Sequence, residues 1–204
     1  MQLGIIGAGN IGGTLGKRWA QQGHQIVFGV RDPNSEKAQK ALAAAGAQAR
    51  LGTVAEAVAA GEVILLAVPW YAVREAVQAG GDWSGKVVID AVNHVGSTIE
   101  QSPSVAETLW AMMPSAQVVK GFNMLGWNII EQPDFGGIAA DCFICGDHAG
   151  AKQTVAALVR ETGLEVVDCG SLQNAVILEA LARLWIKLSL GEMGREIAFK
   201  LLGR

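Results

Sequence analysis

The apolar run of residues 3–6 ends in Gly7-Ala8-Gly9-Asn10-Ile11-Gly12, and an amphipathic pattern begins directly behind it. Each glycine of this turn answers a different steric demand. Gly7 permits the tight exit from a strand, Gly9 lets the backbone approach a bound group, and Gly12 lets the following helix pack against the strand. That helix aims unpaired N–H groups and the positive end of its dipole at whatever lies in front of it. A pyrophosphate satisfies both features. The six residues therefore predict a dinucleotide site on the first unit of a doubly wound α/β fold.

The rest of the chain keeps the same beat. Strand-like runs fall at residues 24–29, 47–51, 63–68, 86–90, 117–122, 142–145 and 165–167. Helical patterns lie between them at 11–22, 33–45, 53–60, from Pro69 to 79, 104–113 and 149–162. Strands apolar on both faces and joined by helices predict a parallel sheet covered on both sides. The expected fold is an α/β, Rossmann-type doubly wound parallel sheet with a small C-terminal α/β-helical cap. Pro133, Gly136 and Gly137 cluster in one loop and set a boundary. Residues 1–134 are expected to form the dinucleotide-binding domain, and 135–204 a small subdomain packed on it, ending in helices at 172–190 and 197–202.

Composition narrows the partners. Of 204 residues, 50% are hydrophobic and 17% charged, which suits a chain with a sizeable core and argues against disorder. A net charge of -3 lacks the basic face that nucleic acid requires. The apolar stretch nearest in length to a membrane helix, 176–190, is interrupted by Glu179, Arg183 and Lys187, which recur every four residues as one polar face. With a strand opening the chain and no charged-then-apolar leader, the expectation is a cytoplasmic protein with no membrane partner. Cys142, Cys145 and Cys169 are odd in number, as fits a reducing compartment. Cys142 and Cys145 spell C-x-x-C, but strand alternation sends them to opposite faces, so they are expected as core residues rather than as a redox pair or metal ligands.

In a doubly wound sheet ligands sit beyond the carboxyl ends of the strands. The end of the second strand selects the dinucleotide. A carboxylate there holds both ribose hydroxyls of NAD, but this chain has Gly29 and Val30, followed at once by Arg31. A guanidinium at that place pairs with a 2′-phosphate and favours NADP; such a bond contributes about 1.5–3 kcal/mol. Asp32 works against this preference by repelling the phosphate or bonding a ribose. Lys37 reads as a solvated lysine or as added positive charge.

Beyond the glycine turn, several segments resemble one family in combination. They are Gly29-Val30-Arg31-Asp32-Pro33, Val68-Pro69-Trp70, Val119-Lys120-Gly121-Phe122-Asn123, Cys145-Gly146-Asp147 and Asp168-Cys169-Gly170-Ser171-Leu172. The chain is similar to the NADPH-dependent reductases of coenzyme F420 over its whole length, and resembles the cytosolic oxidoreductase domain of the six-transmembrane prostate-antigen metalloreductases. The resemblance implies NADPH lying across the strand ends, with a small-molecule acceptor, F420 or a flavin (FMN or FAD), stacked near its nicotinamide. It implies that Gly7, Ala8, Gly9, Asn10, Ile11, Gly12 and Arg31 bind the nucleotide. Ala67, Val68 and Pro69 would line the nicotinamide ribose and Asn93 the far side of the ring, while Asn123, Met124 and Trp127 border the acceptor. Val30 stands where the family commonly has serine, and His94 where a proline often follows the asparagine.

Hydride transfer between two rings needs proximity and stacking more than acid–base groups, which suits a chain with three histidines. His24 and His148 are expected at the surface. His94 follows Asn93 at a strand end and is the one weak catalytic candidate. Lys120 is either a general acid, as in carbonyl-reducing dehydrogenases, or an edge-facing or snorkelled lysine. Trp70 and Trp127 are candidates for ring contact, whereas Trp110 and Trp185 read as core. Two other functions fit parts of the pattern: a reductase of a small imine or carbonyl, and a non-catalytic NADPH-binding redox module. The apolar C-terminal helices predict a homodimer.

Overall fold

The computed structural model describes residues 1–94 and 103–203. The first strand, β1 (Gln2–Ile6), leads through the glycine turn into α1 (Asn10–Gln21). There follow β2 (Gln25–Gly29), α2 (Glu36–Ala45), β3 (Ala49–Gly52), α3 (Val54–Ala60) and β4 (Val63–Leu66). The second half adds α4 (Val73–Gly80), β5 (Val87–Asp90), α5 (Val105–Met112), β6 (Gln117–Lys120) and α6 (Trp127–Glu131). The chain closes with β7 (Asp141–Gly146), α7 (Ala149–Arg160), β8 (Glu165–Asp168) and α8 (Ala175–Ser189).

The eight strands form one sheet in the order β3-β2-β1-β4-β5-β6-β7-β8. Strand order reverses between β1 and β4, which opens a crevice at their carboxyl ends. Alternation explains why the strands are apolar throughout. Leu3, Ile5, Val63, Leu65 and Ile89 face the core under α1, α2 and α7, while Ile6, Ile64, Leu66 and Val88 face the core under α3, α4 and α5. The α/β doubly wound architecture is as expected, with one difference in strand direction. β7 pairs with β6 antiparallel, Lys120 opposite Cys145, and β8 runs parallel to β7. A strand buried on both faces carries the same apolar pattern in either direction. Cys142 and Cys145 do lie in opposite cores.

Four local expectations are corrected. Residues 197–202 form no helix. They run beside the start of β7, where Asp141 N–H donates to Phe199 C=O (3.2 Å) and Lys200 Nζ bonds Asp141 (2.8 Å) and Glu165 (2.5 Å). Six residues are too few to hold a helix against such ties. Trp110 is 51% exposed on the outer face of α5, whereas Trp185 is buried and donates to Ile197 C=O (2.8 Å). His24 is buried, because Glu161 (2.7 Å) and the chain's amino group (3.2 Å) satisfy both ring nitrogens. Lys120 and Glu179 are buried together, as described below. Among the described residues no helix is long and apolar enough to cross a membrane.

Candidate functional site

Two of the three steric demands read from the glycine turn are visible in its geometry. Gly7 has φ +101°, and a Cβ there would stand 2.6 Å from Ala67 C=O. A Cβ on Gly12 would stand 2.0 Å from Gly7 C=O, so strand and helix touch backbone to backbone. Gly9 is the opposite case: a Cβ there meets nothing within 4 Å. The space in front of Gly9 belongs to the crevice.

Gly9 also caps α1, with no side chain accepting from the helix and no acidic residue in its first turn. By contrast α3 and α5 both open with complete capping boxes, Thr53 with Glu56 and Ser104 with Glu107. The first amides of α1 therefore face the crevice with their dipole uncompensated. This donor set suits an anion.

The crevice is a cleft of about 580 Å³. Gly7 to Ile11 line its floor, Val30, Arg31 and Asp32 one end, and Ala67, Val68 and Pro69, directly after β4, the wall. Tyr71, Glu75 and Val54 also line it, and sequence reading did not single these out. Arg31 is largely exposed and reaches Glu75 of α4 across the cleft at 3.7 Å. Asp32 is engaged locally: its carboxylate accepts the Asn34 N–H (2.9 Å) and its carbonyl the Ser35 N–H (3.3 Å), which starts α2. The carboxylate that complicated the choice of dinucleotide is thus a turn-former. Lys37 lines the same cleft and a smaller cavity of about 350 Å³ beside it, which Lys17, Lys40 and Trp127 also border.

Asn93 and Asn123 come together at the ends of β5 and β6. Asn93 Nδ2 donates to Asn123 C=O (2.5 Å), and Asn123 Nδ2 donates to Asn93 Oδ1 (3.0 Å) and Leu178 C=O (3.1 Å). Asn123 Oδ1 is buried without a hydrogen-bond partner among the described residues. Phe122 just before it holds φ +60° although it is not glycine, and is pinned by the edge of Trp19 at 5.9 Å between ring centroids. Strain of that kind persists where the surroundings dictate a side-chain direction. His94 and Trp70 meet with ring centroids 4.6 Å apart. Trp127 is 42% exposed, whereas the Met124 side chain is buried in the core.

The ion cluster beneath this pair could not be read from the sequence. Lys120 is wholly buried, and its ammonium donates to Asp90 Oδ2 (2.9 Å), Val92 C=O (2.5 Å) and Glu179 Oε1 (3.0 Å). All three of its protons are taken, so it is neither a snorkelled lysine nor a free general acid. Glu179 leaves the polar face assigned to it because Lys120 offers a buried cation. Burial pushes the Asp90 carboxyl above the usual carboxylate range, against the opposing pull of Lys120. Burial pushes the thiols of Cys142 and Cys145 up to about 12, which leaves little reactive thiolate at neutral pH. Thiol titration of the folded protein at pH 8 is accordingly expected to find neither reactive, and labelling of Cys142 or Cys145 before unfolding would refute this.

A model of the family described as NADP oxidoreductase coenzyme F420-dependent matches residues 2–94. The F420-dependent NADP reductase of Methanothermobacter thermautotrophicus is 27% identical over 221 residues, covering 98% of this chain and 94% of the relative. The metalloreductase STEAP3 of Rattus norvegicus is 30% identical over 182 residues, 88% of this chain, which spans only 36% of that protein. A crystal structure from Arthrobacter sp. FB24, of a protein described as a candidate F420-dependent NADP reductase, superposes with a TM-score of 0.88 at 25% identity, covering 99% of both chains.

Proposed function

From its similarity to the coenzyme F420-dependent NADP oxidoreductases, we propose that this chain moves a hydride between NADP(H) in the β1–β4 crevice and a deazaflavin or flavin ring. The observation that carries the site is the open space before Gly9 at the uncapped start of α1. There the amides of Ala8 to Gly12 hold the diphosphate. Arg31 takes the 2′-phosphate, and Ala67, Val68 and Pro69 line the nicotinamide ribose. Asn93, fixed by Asn123, bounds the ring side. NADPH, when bound, supplies the hydride. The chain itself contributes orientation, exclusion of water, and N–H donors for charge developing on the acceptor.

The acceptor stands between the Asn93–Asn123 pair and Trp127. Its contact with Met124 is through backbone, since that side chain is buried. Exposed Ile177 and Leu184 on α8, with Leu190 and Met193 beyond it, support the expected homodimer.

Loss of NADPH absorbance at 340 nm, with F420, FMN and FAD added in turn, tests the acceptor. Turnover is expected with F420 above the flavins. Tight NADPH binding with turnover on none of the three would overturn the acceptor assignment. Arg31→Ala is expected to weaken NADPH about tenfold to a hundredfold while sparing NADH, since one charge-assisted phosphate bond is lost. Calorimetry reads the difference, and equal losses for both nucleotides would remove Arg31 from the phosphate.

A further inference from the structure

The cleft proposed for NADP(H) contains an acid that has no part in holding the nucleotide. Its charged lining is Arg31 and Lys37 with Asp32 and Glu75. Asp32 is committed to its own turn through the Asn34 N–H (2.9 Å). Glu75 faces Arg31 instead. It stands in the first turn of α4, on the chain that leaves β4, whereas Arg31 follows β2. Those two strands flank β1, so the pair spans the crevice from one side to the other. Arg31 Nη1 and Glu75 Oε2 lie 3.7 Å apart, with side chains 73% and 65% exposed. An ion pair that open to water is weak, because solvent screens it and two long side chains give up rotamer freedom to keep it.

We infer that Glu75 is a specificity-determining residue whose effect is opposite in sign to that of Arg31: its carboxylate competes with the 2′-phosphate for the guanidinium and so lowers the preference for NADP(H) over NAD(H). The inference rests on the proposed NADP site. A phosphate monoester brings more negative charge and more acceptor oxygens than a carboxylate, and it takes the guanidinium. It does so at the cost of the Arg31–Glu75 pair. NADH has no 2′-phosphate and leaves that pair in place. Glu75 therefore acts on the ratio of the two affinities and hardly on the affinity for NADH. The consequence is an NADP(H) held less tightly, and released faster, than Arg31 alone would hold it.

Glu75→Gln keeps the size of the side chain and removes its charge. Calorimetry of NADPH and NADH on wild type and variant, with a melting curve for each, tests the inference. The NADPH-to-NADH affinity ratio is expected to rise about threefold, the size of one exposed ion pair, with NADH affinity within about twofold of wild type. In the Arg31→Ala background the gain from Glu75→Gln is expected to shrink, because the cation competed for is gone. An acid in the first turn also complements the dipole of α4. If that is all Glu75 does, Glu75→Gln lowers the melting temperature and leaves the ratio unchanged, and this result overturns the inference while leaving the site intact. An equal gain with and without Arg31 overturns the competition in the same way. Failure of the wild type to bind either nucleotide overturns the site itself, and this inference with it.

Discussion

Gly9→Asp is expected to leave the fold at least as stable as the wild type while lowering NADPH affinity by more than about a hundredfold. The two effects have opposite signs because they act on the same amides. A Cβ at Gly9 meets nothing within 4 Å, and its φ of -78° suits any residue. Aspartate is among the best N-cap residues, and its carboxylate would complement the uncompensated dipole of α1. That carboxylate would also occupy the place proposed for the diphosphate and repel it. A melting temperature equal to or above wild type, together with lost nucleotide binding, is the result to look for. Unchanged NADPH affinity would move the diphosphate away from this turn.

Lys120→Met is expected to cost about 3–5 kcal/mol of stability, the usual consequence of removing one partner from a buried ion pair. For a chain of this size that lowers the melting temperature by roughly 10 °C or more. The ammonium satisfies two carboxylates and a carbonyl at once, and methionine replaces none of those bonds. The pH dependence follows from the Asp90 carboxyl. Burial raises it and Lys120 opposes the rise, so without Lys120 the folded form holds a proton that the unfolded chain releases above about pH 3.9. The folded state then binds more protons than the unfolded state, and the variant's stability falls as pH rises from that value. Melting curves from pH 4 to 8 test this. A variant as stable as wild type at pH 8 would contradict the ion cluster. Adding Asp90→Asn and Glu179→Gln to Lys120→Met is expected to recover part of the loss.

What could be read from the sequence was local. The steric demands on Gly7 and Gly12 arise within six residues, so pattern and spacing were enough to place the strand-turn-helix unit. The turn-forming bond from the Asn34 N–H to Asp32 joins residues two apart and is local in the same way. Lys120, Asp90 and Glu179 lie 30 and 59 residues apart, and a lone charge in an apolar segment gives no sign of its distant partner. The helical spacing of Glu179, Arg183 and Lys187 set Glu179 on one polar face with the other two, whereas its carboxylate is buried against Lys120. The direction of β7 was invisible because burial on both faces leaves the same residues in either direction. The segment 197–202 was too short for periodicity to separate a helix from an extended tail. Phe122 carries no sequence signal for its positive φ, although that conformation sets where Asn123 begins.

Isothermal titration of the wild-type chain with NADPH, and with NADH under the same conditions, bears most directly on the β1–α1 turn and Arg31 as an NADP site. One NADPH taken up per chain, at least about tenfold tighter than NADH, is the expected outcome. No uptake of NADPH, or equal affinity for the two nucleotides, would contradict it.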